Sequence, residues 1–186
     1  MEFLDKLLEQ YRNSFDIERD YKIGDVTAQA YGYFAKTDEK YVLSQKANLW
    51  SVQGFEHILF FEKENICEND ILEIRKLMTE YMAPKLVCKG KKYPEKNHMY
   101  SYLTVVILCE NTPDNNIVSA VESFKLVKNY LLTIRGYVEG QVVVMDLSAG
   151  KAYTNKAAKH LKKFYENEYE TYERGLKNER GFGTYC

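Results

Sequence analysis

Two groups of lysines are the residues whose type and spacing most suggest chemistry, because their charges could hold an anion. The first group lies between positions 85 and 96, with Tyr93 and His98 beside it. Lysines interleaved with an aromatic ring are typical of sites for phosphates or a nucleic-acid backbone. A loop of this length inside a domain is often functional, although a solvated surface loop has the same composition. The group consists of Lys85, Lys89, Lys91, Lys92 and Lys96.

The second group opens the last predicted helix, where Lys156, Lys159, Lys162 and Lys163 precede a series of glutamates from Glu166 onward. This order opposes the helix macrodipole, which favours acids first and bases last. An anion held by free backbone N–H groups and these lysines would explain it, and pairing with acids elsewhere on the surface is the alternative. If both groups share one face, the candidate anion ligands are Lys89, Lys91, Lys92, Lys156, Lys159 and Lys163.

A third candidate concerns the carboxylates of one predicted strand. The element order αβββαβ resembles the core of restriction-endonuclease-like nucleases, whose Glu-x-Lys pair and nearby Asp hold Mg²⁺ and support the attacking water. Here Ile58 stands two residues after Glu56, where Lys is required, and Lys63 directly follows Glu62 and so points to the opposite face. If the resemblance extends to catalysis, the residues to suspect are Glu56, Glu62 and Lys46.

Other catalytic patterns are absent from the sequence. The three histidines are far apart and have no metal-type spacing, and no cysteine pair has the CxxC form. There is no G-x-S-x-G elbow, no G-x-G-x-x-G and no phosphate loop ending in Gly-Lys-Ser/Thr. We therefore expect neither a cofactor nor a metal.

Composition narrows the classes of partner. The 186 residues predict one domain spanning positions 1–186. The formal net charge of −1 gives no general attraction to nucleic acid or to an anionic membrane. The chain opens without an apolar signal segment and has no apolar run near about 18 residues. We therefore expect a cytoplasmic protein with free thiols and no membrane partner.

Periodicity predicts the elements of the fold. Apolar residues at helical spacing predict a first helix over 2–15. Alternation predicts three strands joined by polar turns at 37–40 and at Gln53-Gly54. We expect Pro84 to end the second helix and a basic loop to follow. The strands are expected at 20–23, 26–36, 41–52, 55–63, 99–109, 130–138, 141–147 and 151–154, and the later helices at 70–81, 117–127 and 155–176.

These elements predict an α+β fold in a single domain. A mixed, mostly antiparallel sheet would contain a three-strand meander, a central strand at 99–109 and a C-terminal hairpin, packed with about four helices. Both faces of the central strand are apolar, which predicts that other elements cover it on both sides.

Three segments carry a resemblance to a known family. They are residues 40–47, residues 97–104, and residues 144–147 with 153–156. These segments resemble an uncharacterised family of small cytoplasmic proteins from Gram-positive, clostridia-like bacteria. The resemblance implies a bacterial, cytoplasmic, single-domain protein and assigns no activity or site residue.

The sequence thus favours a non-enzymatic binding or interaction module with a protein partner or a second copy of itself. Its 16 tyrosines suit contact surfaces, since each ring has an apolar body and a polar tip. The alternatives are a metal-dependent, nuclease-like phosphodiesterase or a relic of one, and a nucleic-acid or phosphoanion binder that uses the two lysine groups.

Overall fold

Seven strands form one mixed sheet in the computed structural model, which describes residues 2–40 and 50–181. The strands are β1 (Asp16–Ile23), β2 (Val26–Lys40), β3 (Trp50–Lys63), β4 (His98–Cys109), β5 (Val127–Asn129), β6 (Tyr137–Asp146) and β7 (Lys151–Thr154). The helices are α1 (Glu2–Tyr11), α2 (Glu68–Lys76), a π-helix (Leu77–Val87), α3 (Asn115–Ser123), a 3₁₀ turn (Lys159–Leu161) and α4 (Lys162–Gly181).

The sheet order is β1-β2-β3-β4-β6-β5, and β7 pairs with the other end of β6. Strands β1 to β3 form an antiparallel meander, whereas β3, β4 and β6 run parallel. Each parallel step needs a crossover, and the helical segments between β3 and β4 and between β4 and β6 supply it. The α+β class, the mixed and mostly antiparallel sheet and the four α-helices are confirmed.

Two apolar cores lie on opposite faces of this sheet. On one face, which we call the α1 face, Phe3, Leu4, Leu7 and Leu8 of α1 pack with Tyr165 of α4 against the sheet. On the other, the α2 face, side chains of α2, the π-helix and α3 pack against alternate residues of β3, β4 and β6. Strand β4 is covered on both sides, as its apolar run predicts.

The predicted turn at Gln53 and Gly54 is wrong, because both residues lie inside β3 and pair with Thr37 and Lys36 of β2. A Cβ on Gly54 would meet the Tyr100 ring at 2.3 Å, so this glycine makes room for an aromatic ring of β4 and does not form a turn. The predicted turn at 37–40 likewise belongs to β2. Of the predicted strand 41–52, positions 41–49 lie outside the described residues and 50–52 belong to β3.

Pro84 does not end the second helix. The chain continues as a π-helix to Val87, and its end is closed by the Cys88 N–H donating to Ala83 O at 3.0 Å. Hydrogen bonds of this kind, from an N–H to the carbonyl five residues earlier, make each turn wider than in an α-helix. Pro84 lacks an N–H, so no backbone donor is left unpaired at its position. The lysine group at 85–96 therefore starts on the end of a helix and not in a loop.

The predicted strand 130–138 is also wrong. Residues 130–136 form the loop of a hairpin between β5 and β6, in which the Tyr130 N–H donates to Gly136 O at 3.0 Å. Smaller shifts affect other ends, since α1 stops at Tyr11, β1 starts at Asp16, α3 covers Asn115–Ser123 and α4 begins after the 3₁₀ turn. Among the helices of the described ranges, none combines the length and the apolar character that crossing a bilayer requires.

Candidate functional site

A cavity of about 570 Å³ lies on the α2 face of the sheet, between strands β1–β3 and the end of the π-helix. This volume is within the range of about 300–1,000 Å³ that is typical of small-molecule sites. Strand residues form its floor, and the end of the π-helix with the following turn forms a wall. The lining residues include Asp16, Glu18, Tyr31, Tyr33, Phe55, His57, Lys85, Lys89, Glu95 and His98.

Parallel rings form the floor of this cavity. The ring centroids of Tyr33 and Phe55 are 6.2 Å apart with planes 15° from parallel, and those of Phe55 and His98 are 5.9 Å apart at 7°. Tyr31 stands beside His57 in the same way, at 6.1 Å and 11°. Side chains at alternate positions of a strand share a face, so the register of β2, β3 and β4 brings these rings together. The result is an ordered aromatic surface.

His57 is the central polar group of the floor. It is 4% exposed, and its Nδ1 lies 2.7 Å from the Tyr31 hydroxyl. Burial lowers the pKa of His57 to about 4, and His98 and Lys89 add electrostatic repulsion of the charged form. The imidazole is therefore neutral at pH 7. Within residues 2–40 and 50–181, no hydrogen-bond partner contacts its Nε2.

His98 has a structural role at the edge of the floor. Its Nδ1–H donates to the Arg135 carbonyl at 2.8 Å, and its Nε2 then accepts from the Ser101 hydroxyl at 2.8 Å. Burial lowers the pKa of His98, against the opposing effect of the Arg135 carbonyl. Because both nitrogens are engaged, His98 has no free nitrogen for a ligand in the cavity.

Charges of both signs surround the cavity. Lys85 comes from the π-helix, and its Nζ is 5.0 Å from the centre of the Tyr81 ring. Lys89 follows in a left-handed turn with φ of 51°, and its charge acts on His57. Asp16, Glu18 and Glu95 add carboxylates to the lining. A negatively charged ligand group can therefore meet a lysine in this cavity, and a positively charged one can meet a carboxylate.

The structure brings part of the first lysine group to this cavity. Lys89 lines it, whereas Lys91 is exposed and its Nζ lies 2.6 Å from Oε1 of Glu95. Lys92 is also exposed, with its Nζ 5.3 Å from the centre of the Tyr93 ring.

The second lysine group lies elsewhere. Leu161 and Phe164, which neighbour the exposed Lys159 and Lys163, pack into the core of the α1 face. Lys156 is beside the end of α3, next to the β6 edge. The sheet separates Lys159 and Lys163 from the cavity, so a single ligand would have to pass around the sheet edge to meet them together with Lys89.

The suspected nuclease carboxylates are not brought together. Glu56 faces α1, where burial raises its pKa and Thr104 Oγ1 lies 3.2 Å from its Oε1. Glu62 lies six residues further along the same extended strand, which corresponds to about 20 Å. Lys46 lies outside the described residues. Within residues 2–40 and 50–181, no cluster of three or more His, Cys, Asp or Glu side chains could hold a metal ion.

Sequence reasoning missed the aromatic and carboxylate part of the site. Tyr31 and Tyr33 share one face of a strand, and Phe55 and His57 share one face of the next, so alternating aromatics in consecutive strands were the available signal. The pairing that places Tyr33 opposite His57 is a property of the folded sheet.

Comparison with known proteins places the chain in a family and gives no further relative. No curated protein and no solved structure matches it. A family described as "Domain of unknown function (DUF8052)" matches residues 1–167, most of the 186-residue chain. The protein with this aromatic cavity belongs to the DUF8052 family.

Proposed function

We propose that the protein is a non-enzymatic binding module that takes up a small planar organic molecule in the aromatic cavity. The observation that carries this proposal is the ordered floor of Tyr33, Phe55 and His98 rings beside the partner-free Nε2 of His57. Aromatic rings pack favourably against planar ligands, through offset stacking or edge-to-face contacts. A single well-placed polar atom in an apolar pocket orients the ligand.

The protonation state of His57 favours binding over acid–base catalysis. A general base works best with a pKa near the working pH, and the pKa of His57 is about 4. The neutral ring instead gives one hydrogen bond to Tyr31 and has Nε2 available for a second. The proposal therefore assigns His57 to recognition.

The proposal extends to location. The resemblance to proteins of Gram-positive bacteria favours a bacterial origin, and the free thiols of Cys67, Cys88 and Cys109 fit a reducing cytoplasm. A binding module of this kind would act as a sensor or carrier for its ligand, alone or with a protein partner.

A fragment-binding experiment tests the proposal. Benzoate, indole, purine and 2-naphthoate would be screened by saturation-transfer NMR, and the imidazole nitrogens of His57 would be followed by ¹⁵N chemical shift. We expect at least one of these probes to bind and to shift the His57 nitrogens. The Tyr33→Leu substitution should weaken that binding roughly three- to tenfold, as expected for loss of one aromatic stacking contact.

Tyr102→Leu is the matched control, because Tyr102 is also a half-buried strand tyrosine but its partner in the sheet is Glu56, on the α1 face. Binding of the probes should be unchanged in this variant. If none of the four probes binds at millimolar concentration, or if both variants lose affinity equally, the cavity is not the binding site.

A further inference from the structure

The hairpin loop of residues 130–136, which we call the apolar loop, exposes large aliphatic side chains. Leu132 is 92% exposed and Ile134 is 75% exposed, with Leu131 beside them at 42%. Met99, whose carbonyl lies next to Gly136, is 53% exposed. Clustered exposed aliphatic side chains of this size mark interaction surfaces.

The backbone of the apolar loop holds these side chains in an unusual conformation. Leu131, Leu132 and Thr133 have φ values of 49°, 52° and 72°, a left-handed region that non-glycine residues rarely adopt. The conformation is closed by hydrogen bonds from Ile134 N to Leu131 O at 3.0 Å and from Gly136 N to Thr133 O at 2.8 Å. Strained backbone that the surrounding structure maintains points to function, so the apolar tip is a preformed feature.

Basic side chains lie near the apolar loop in two neighbouring segments. Arg135 Nη1 donates to Pro94 O at 3.1 Å, which ties the loop to the segment that carries the exposed Lys92 and Lys96. Lys128 lies on the exposed strand β5, which leads into the loop, and its Nζ is 5.3 Å from the centre of the Tyr130 ring.

The carboxylates near the apolar loop oppose this positive charge only in part. Glu95 already pairs with Lys91, and Glu139 is half-buried opposite Val127. Among the charged residues named around the loop, Lys92, Lys96, Lys128 and Arg135 therefore outnumber Glu95 and Glu139.

We propose that the apolar loop docks the protein reversibly on an anionic lipid bilayer. Leu132 and Ile134 enter the interfacial layer, and Lys92, Lys96 and Lys128 contact the anionic headgroups. Interfacial segments combine an inserted apolar part with flanking Lys or Arg in this way.

The apolar tip consists of a few side chains, whereas a stable protein interface buries about 800 Å² on each partner. The interfacial layer of a bilayer is therefore a better match for this tip than a protein surface. The attraction is local, since the net charge of the whole chain is −1. Although the sequence alone predicted no membrane partner, that expectation rested on the net charge and on the lack of a spanning segment.

Vesicle flotation tests the proposal with phosphatidylcholine vesicles and with vesicles that also contain phosphatidylglycerol. We expect binding to the anionic vesicles, and we expect added salt to weaken it. The double substitution Leu132→Ser with Ile134→Ser should reduce the partition coefficient roughly tenfold or more, because two aliphatic side chains no longer leave water. Leu72→Ser is the matched control, since Leu72 is 65% exposed on α2, and its binding should be unchanged.

A second pair of variants separates the contribution of charge. Lys92→Gln with Lys96→Gln should weaken binding to the anionic vesicles several-fold, whereas Lys159→Gln with Lys163→Gln, on the opposite face of the sheet, should not. Failure of the wild-type protein to bind anionic vesicles at low salt overturns the proposal. So does equal binding by the Leu132/Ile134 variant, or a change of that variant from dimer to monomer in light scattering, which would assign the loop to a second copy.

Discussion

Gly136 and Gly90 share a backbone conformation but lie in very different surroundings. Both have φ of 75°. A Cβ on Gly136 would lie 2.3 Å from Met99 O and 2.6 Å from Nδ1 of His98, whereas a Cβ on Gly90 would meet nothing within 4 Å. The pair therefore distinguishes the cost of left-handed backbone from the cost of a steric clash.

We expect Gly136→Ala to lower the free energy of unfolding by about 3 kcal/mol or more, since strain and clash add. Gly90→Ala should cost only about 1 kcal/mol, from backbone strain alone. Urea denaturation of both variants measures the difference. Equal losses would mean that the contact between the apolar loop and His98 is not tight.

Helices α1 and α4 are joined on the α1 face by a buried pair of tyrosine hydroxyls. The hydroxyls of Tyr11 and Tyr165 are 2.6 Å apart, and the residues are 7% and 0% exposed. Burial raises the pKa of both side chains, so both stay neutral. Each hydroxyl has the other as its hydrogen-bond partner in this apolar core.

The two tyrosines should behave as a coupled unit. Tyr11→Phe and Tyr165→Phe each leave the remaining hydroxyl without its partner, at an expected cost of about 1–3 kcal/mol. The double variant removes both polar groups, so its loss should be smaller than the sum of the single losses. A double-mutant cycle in urea measures this, and strictly additive losses would contradict the pairing.

For the molecule as a whole, His57 links stability to pH. Its pKa is about 4 when folded and 6.5 when exposed, so the unfolded chain binds more protons between these values. The contribution of His57 to the free energy of unfolding is therefore fully present above about pH 6.5 and is lost as the pH falls towards 4. At pH values below about 4, this difference in pKa lowers the free energy of unfolding by about 3 kcal/mol relative to neutral pH. The lowered pKa of His98 acts in the same direction.

The His57→Gln variant should show a smaller drop in the free energy of unfolding between pH 7 and about pH 4.5, because the group that takes up the proton on unfolding is gone. Glutamine can still accept the Tyr31 hydroxyl hydrogen. His160→Gln, at an exposed position, is the matched control and should keep the wild-type pH dependence. The assignment fails if both variants follow the wild-type curve.

Elements with a strong local pattern were predictable from the sequence. The stripe of Phe3, Leu4, Leu7 and Leu8 predicts the buried face of α1, and the apolar run of β4 predicts a strand covered on both sides. Both patterns are periodic along the chain, and the burial of one face follows from the period.

Elements with an ambiguous local pattern were decided by contacts between distant residues. The sequence predicts a turn at Gly54, but this residue lies inside β3, where the Tyr100 ring occupies the space that a Cβ would fill. The aliphatic residues from Leu131 to Ile134 read as a strand, but the chain must reverse there between β5 and β6. Pro84 reads as a helix end, but a π-helix passes through it.

The sequence by itself determined the α+β class, the helical and strand patterns with one apolar side, and the list of charged candidates. Only the tertiary structure decided which residues form a site, because Tyr33, Phe55, His98 and Lys89 come from three strands and a turn. Periodicity depends on neighbours along the chain, whereas a cavity depends on sheet register and on which helix covers which face. The lysine groups were visible in the sequence, but the position of Lys159 and Lys163 on the face of the sheet opposite the cavity was not.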